Sequence, residues 1–223
     1  MELAKIIGQY GLIPVVTINH ADQAVPLARA LLEGGLPCVE ITFRTDAAEE
    51  AIRRIVAMYP GVVTGAGTVL SVGQAERAMG AGARFIVSPG FDPAVADWCL
   101  ERNIPALPGV ATPTEILMAL GRGIDLVKFF PAEALGGVTM LEAVAAPFGN
   151  VRFVPTGGIN AHNFPAYLRL KAVVACGGSW LASGAMLRSG NYAEITRLTR
   201  EAVAIIGEAG AKGGHPRQEE TAS

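Results

Sequence analysis

Short apolar runs alternate along this chain with longer segments whose apolar residues recur at helical spacing. The runs are LIPVVTI (12–18), CVEITFR (38–44), VVTGAGTV (62–69), FIVSPG (85–90), IPALPGV (104–110), LVKFFPA (126–132), RFVPTGG (152–158) and VVACGGSW (173–180). Each is mostly β-branched or aromatic and ends in Gly, Pro or a polar residue, as a buried strand does. Segments such as ADQAVPLARALLEGG and DAAEEAIRRIVAMY between them carry a helical period and a Gly or Pro near the end. Asp46, Ser71, Asp92, Thr112 and Asn160 stand where helix N-caps are needed. Run starts at 12 and 173 bracket seven repeats, a period of about 23 residues. Strictly alternating strands and helices predict a parallel sheet with its helices outside. Eight units in this length predict an α/β fold, a single-domain (β/α)8 TIM barrel over residues 1–207. The polar, Gly-rich stretch 208–223 reads as a flexible tail. An open doubly wound sheet is the alternative, but no GxGxxG follows the first run, which counts against its dinucleotide-binding version.

Composition narrows the function classes. The chain has 223 residues, 51% of them apolar, with a net charge of -2. That is the balance of a globular protein without the basic footprint of a nucleic-acid binder. No run of about 18 apolar residues suggests a membrane span. The N-terminus MELAKIIGQYGLIPVV lacks the pattern of a signal peptide, so a cytoplasmic protein is expected. Three cysteines, Cys38, Cys99 and Cys176, without CxxC spacing argue against both disulfides and a zinc site. His20, His162 and His215 are far apart in segments that read as loops, so no metal site is expected from them.

The unusual residues cluster where barrel chemistry sits, at the C-terminal ends of the strands. Side chains alternate along a strand, so Glu40, Thr42 and Arg44 share one face of CVEITFR, and Val39, Ile41 and Phe43 share the other. The apolar set suits the helix layer, which leaves the polar set facing the barrel interior in need of partners or a ligand. Lys128 is one of four lysines and the only one inside a predicted buried strand. Lysine is rarely buried unless paired, so one reading is a structural pair with a carboxylate such as Glu40. The other is an amine nucleophile: apolar burial disfavours a charged amine, and a neutral amine attacks a ketone to give a Schiff base. Gly157 and Gly158 close the seventh run, and Gly177, Gly178 and Ser179 close the eighth. Loops after strands 7 and 8 commonly cradle a phosphate, for which bare backbone and a hydroxyl are suited. Thr68, in GAGT at the mouth of the third strand, can bind a carboxylate.

These motifs, VEITFRT (39–45), GAGTV (65–69), SPG (88–90), PGVATPTE (108–115), VKFFPAEA (127–134), PTGGI (155–159) and GGSWL (177–181), occur in order and resemble the class I 2-keto-3-deoxy-6-phosphogluconate (KDPG) aldolases. That family includes enzymes that also cleave 4-hydroxy-2-oxoglutarate (KHG). The resemblance implies a lyase that splits KDPG reversibly into pyruvate and glyceraldehyde 3-phosphate. It implies Lys128 as Schiff-base nucleophile and Glu40 as general acid/base. Arg44 and Thr68 would hold the substrate carboxylate, Gly157, Gly158, Gly178 and Ser179 the phosphate, and Thr156 a substrate hydroxyl, with Phe130 beside the pyruvyl end. A homotrimer with no cofactor and no metal is implied as well, because the imine supplies the electron sink. Two alternatives stand beside it: another phosphosugar-binding barrel enzyme, an epimerase or decarboxylase, and a non-catalytic sugar-phosphate binder.

Overall fold

The computed structural model describes residues 2–213. Its strands are Leu12–Val16 (β1), Cys38–Thr42 (β2), Val63–Gly67 (β3), Ile86–Val87 (β4), Ala106–Leu107 (β5), Gly109–Val110 (β6), Leu126–Phe129 (β7), Arg152–Pro155 (β8) and Cys176–Gly178 (β9). Its α-helices are Glu2–Gly8 (α1), Ala24–Glu33 (α2), Ala48–Met58 (α3), Val72–Gly80 (α4), Pro93–Glu101 (α5), Pro113–Leu120 (α6), Gly137–Ala145 (α7), Phe164–Leu168 (α8), Gly184–Ser189 (α9) and Tyr192–Gly213 (α10). The strand pairings are parallel. One stretch of sheet runs β5-β4-β3-β2-β1-β9 and another β6-β7-β8. Bridges from Phe153 to Val173 and from Thr156 to Gly177 tie β8 to the β9 segment. At the other seam, β5 and β6 are consecutive, separated only by Pro108. The result is the expected (β/α)8 barrel.

The fifth apolar run thus forms two strand pieces where one was expected. Pro108 has no N–H to continue a ladder. The Leu107 carbonyl accepts from Ser88 N–H (3.2 Å) on the β4 side, and the Pro108 carbonyl accepts from Lys128 N–H (2.9 Å) on the β7 side. The other strands also stop short of the C-terminal ends of their runs, because the residues that follow turn over the barrel mouth. In β2 the ladder extends only as far as Phe43 N–H, which donates to the Gly67 carbonyl (2.7 Å).

Alternation along β2 sorts its side chains as expected. Val39 and Ile41 belong to the buried cluster containing Leu27, Leu31, Ile52 and Ile55 of α2 and α3. Cys38 belongs to the cluster containing Leu12, Val63 and Phe85. Ser71, Asp92 and Thr112 cap α4, α5 and α6, each accepting from a backbone N–H three residues on. Asp46 does not cap: α3 begins two residues later, and its cap, Ala47, makes no side-chain bond. Asn160 caps a turn instead, its Oδ1 accepting from the N–H groups of His162 (2.9 Å) and Asn163 (3.3 Å), and α8 starts only at Phe164. Helix α10 continues to Gly213, six residues past the expected end of the barrel, and the remainder of the proposed tail, 214–223, lies outside the described residues.

Candidate active site

Strands β2 and β7 each carry one charged side chain into the barrel. Glu40 is 2% exposed and Lys128 4% exposed. Lys128 Nζ stands 3.7 Å from Glu40 Oε1 and 5.1 Å from the centre of the Phe130 ring. The pairing that the sequence left open therefore exists, but it is not closed. A hydrogen-bonded N–H···O contact spans roughly 2.7–3.2 Å, and Glu40 Oε1 is fully buried without a hydrogen-bond partner among the described residues. An ion pair that served only the fold would satisfy that oxygen, since a buried unpaired polar atom costs about 1–3 kcal/mol. The arrangement keeps an amine, a carboxylate and an aromatic face pointing at the same small space. Gly67, at the end of β3, makes room for the carboxylate: a Cβ there would collide with Oε1.

The remaining members of the polar face of the second run separate. Thr42 is buried and shares a 2.8 Å hydrogen bond with Thr17 beyond the end of β1, so its hydroxyl is satisfied within the protein. Arg44 lies past the end of β2, in the exposed turn, where the sequence pattern placed it on the strand. Its Nε donates to Thr68 Oγ1 (3.1 Å), which brings together the two residues expected to hold a carboxylate. The bond occupies one edge of the guanidinium and leaves the terminal nitrogens for a bidentate anion. Thr68 has φ 55°, a left-handed conformation that is an outlier for a β-branched residue and costs on the order of 1–3 kcal/mol. The hydrogen bond from Arg44 engages the hydroxyl of this residue.

The two Gly-Gly segments come side by side. Thr156, 7% exposed, bridges to Gly177, whose missing Cβ leaves the space that Thr156 Oγ1 fills. Gly157 and Gly158 both have positive φ, 100° and 78°. The Gly157 carbonyl accepts from Glu133 N–H (3.0 Å) and the Gly158 carbonyl from Asn163 Nδ2 (3.1 Å). Their carbonyls are thus engaged by the protein. Gly157 lies under the Phe130 ring and Gly178 under the Trp180 ring, and Ser179 is exposed. Reading the sequence alone missed Thr17, Glu133, Tyr167 and Trp180. Only Glu133 carried a signal, a carboxylate directly after the Phe-Phe-Pro-Ala run. A cavity of about 230 Å³ beside Leu141, Ala145 and Leu170 lies apart from these groups.

A family model described as "Aldolase: KDPG and KHG aldolase" matches residues 3–198. The chain belongs to the KDPG and KHG aldolase family. Within it, the chain is 50% identical over 195 residues to a 2-dehydro-3-deoxy-phosphogluconate aldolase of Treponema pallidum, covering 87% of this chain and 93% of that one. Among solved structures, the KDPG aldolase of Legionella pneumophila, with pyruvate captured as a covalent carbinolamine, superposes with TM-score 0.87 at 39% identity, over 89% of this chain and 97% of that one. The 2-keto-3-deoxy-6-phosphogluconate aldolase of Zymomonas mobilis with 3-phosphoglycerate superposes with TM-score 0.86 at 38% identity, over 92% and 97%. In this aldolase the seven motifs lie at the ends of β2, β3, β4, β6, β7, β8 and β9.

Proposed function

We propose that the chain is a Schiff-base aldolase, a lyase that cleaves KDPG reversibly to pyruvate and glyceraldehyde 3-phosphate and also accepts KHG, with pyruvate and glyoxylate as products. One observation carries the reading: a buried amine, Lys128 Nζ, 3.7 Å from a buried carboxylate oxygen that has no hydrogen-bond partner among the described residues. The amine adds to the C2 ketone, and the carbinolamine loses water to give a protonated imine. Glu40 delivers the proton that the departing water needs and takes the proton of the C4 hydroxyl. The C3–C4 bond then breaks, its electrons flow into the imine, and the aldehyde leaves an enamine. Protonation at C3 and addition of water release pyruvate and restore the amine.

The rim residues orient the two ends of the substrate. Arg44 and Thr68, already bonded to each other, receive the carboxylate. The backbone N–H groups of Gly157, Gly158 and Gly178, with the Ser179 hydroxyl, receive the phosphate, Thr156 faces a substrate hydroxyl, and Phe130 covers the pyruvyl end. Among the described residues no helix is long and apolar enough to cross a membrane. A cytoplasmic homotrimer is the setting this reading gives the enzyme: light scattering is expected to return three times the chain mass, and a monomer mass would overturn the trimer.

Pyruvate plus borohydride followed by peptide mapping tests the reading. A single reduced adduct on Lys128, absent from Lys128→Met, is the expected result. A folded protein that forms no adduct would overturn it.

A further inference from the structure

Outside the amine and its carboxylate, one charged group is held in a way that the proposed chemistry does not use. Glu133 opens the turn after β7, and its carboxylate accepts a hydrogen bond from the hydroxyl of Tyr167 on α8, thirty-four positions on. Tyr167 is completely buried, while Glu133 is at the surface. The stem of Glu133 fills the space above Gly158, where an added Cβ would come within 2.6 Å of Glu133 Cβ. Its N–H holds the Gly157 carbonyl at 3.0 Å, and the N–H of Ala132 holds the Thr156 carbonyl at 2.8 Å. From the first turn of the same helix, Phe164 packs against Trp180 with ring centres 5.4 Å apart, and Trp180 in turn covers Gly178. This five-residue helix therefore touches the turn after β7 and the loop after β9, and follows directly from the Gly157–Gly158 loop.

We propose that the Tyr167–Glu133 hydrogen bond is a latch that shapes the phosphate subsite, fixing the turn after β7 against the Gly157–Gly158 loop and keeping the Glu133 carboxylate turned away from the bound phosphate. The proposal rests on the phosphate assignment above. Two effects make the latch matter. A loop whose N–H groups must converge on an anion loses affinity when it is free to move, since ordering it is then part of the binding cost. A carboxylate released beside that loop adds like-charge repulsion toward a phosphate. Burial, and then the bond to Glu133, hold the Tyr167 hydroxyl well above the usual phenol range, so it remains a donor at any pH where the enzyme works.

Tyr167→Phe keeps the ring in the core and removes only the hydroxyl. In condensation with pyruvate, this variant is expected to raise KM for glyceraldehyde 3-phosphate about tenfold, the worth of one charge-assisted hydrogen bond. Its KM for unphosphorylated glyceraldehyde and its yield of borohydride-trapped pyruvate stay at the wild-type level. Glu133→Gln keeps an acceptor for the tyrosine and deletes the charge, so it retains the wild-type KM for the phosphorylated aldehyde. A Tyr167→Phe enzyme with unaltered KM for glyceraldehyde 3-phosphate overturns the latch. So does an equal loss on both aldehydes and on pyruvate trapping, which marks general structural support. A wild-type enzyme indifferent between the two aldehydes overturns the phosphate assignment and the latch together.

Discussion

At the scale of single residues, the site depends on a carboxylate held just out of hydrogen-bonding range of an amine. Glu40 and Lys128 are both buried, and desolvating two ions costs several kcal/mol each before their attraction offsets it. An unsatisfied oxygen adds to that cost, so the pair is poor stability design and good reactive design. Glu40→Gln keeps the shape and removes the base. Turnover measured in steady state should fall about 10²–10⁴-fold, and a loss below tenfold would assign proton transfer to another group. Gly67→Ala probes position instead of chemistry, because the new methyl collides with Glu40 Oε1. Overpacking of this kind costs about 1–3 kcal/mol. We expect a folded variant by circular dichroism with turnover reduced at least tenfold, whereas wild-type turnover would mean that the carboxylate can work from another position.

At the scale of elements, the helices depend on their caps unevenly. Asp92 accepts from the Val95 N–H at 2.9 Å, and α5 also begins with a proline, which suits a first turn with no N–H partner to offer. Asp46 occupies a similar place in the sequence pattern and makes no such bond before α3. Asp92→Ala should therefore lower stability by about 1 kcal/mol in urea unfolding, while Asp46→Ala stays within about 0.5 kcal/mol. Equal effects would show that the cap geometry at Asp92 carries no weight. Of the five residues with cap chemistry, the three that cap are those whose helix starts at the very next residue. Both exceptions precede an extra turn, whose length depends on how the chain rounds the barrel mouth and on no local residue preference.

At the scale of the whole molecule, close packing seals all three cysteines. Cys38, Cys99 and Cys176 are free thiols and fully covered. Burial pushes Cys99 up to about 11 and the other two higher still. The native protein at pH 8 should release no colour from a disulfide reagent over minutes, and the unfolded chain should titrate three thiols. A rapidly reacting native thiol would show that the barrel opens locally. The same shifts set a direction for stability. An unfolded thiol loses its proton near pH 8.5–9, and the folded Cys99 retains it to about 11. Their contribution is therefore complete below about pH 8.5 and declines as pH rises, because the unfolded state then binds fewer protons than the folded one.

The chain's own pattern determined the alternation of strands and helices, the parallel barrel and the inward face of β2, because burial has a period of two in strands and 3.6 in helices and both are local. Lys128 was conspicuous for the same reason, as a charge inside an apolar run. Only the closed barrel decided that Lys128 meets Glu40, eighty-eight positions away, that Gly67 yields space to that carboxylate, and that Arg44 leaves the strand to bond Thr68. The contact of Tyr167 with Glu133 belongs to the same class. Each joins residues from different strand–helix units, and no period along one segment carries information about the distance between two. Closing the ring fixes those distances. The periodicity of the sequence could therefore specify the barrel and mark its odd residues, while their geometry became definite only when the last strand met the first.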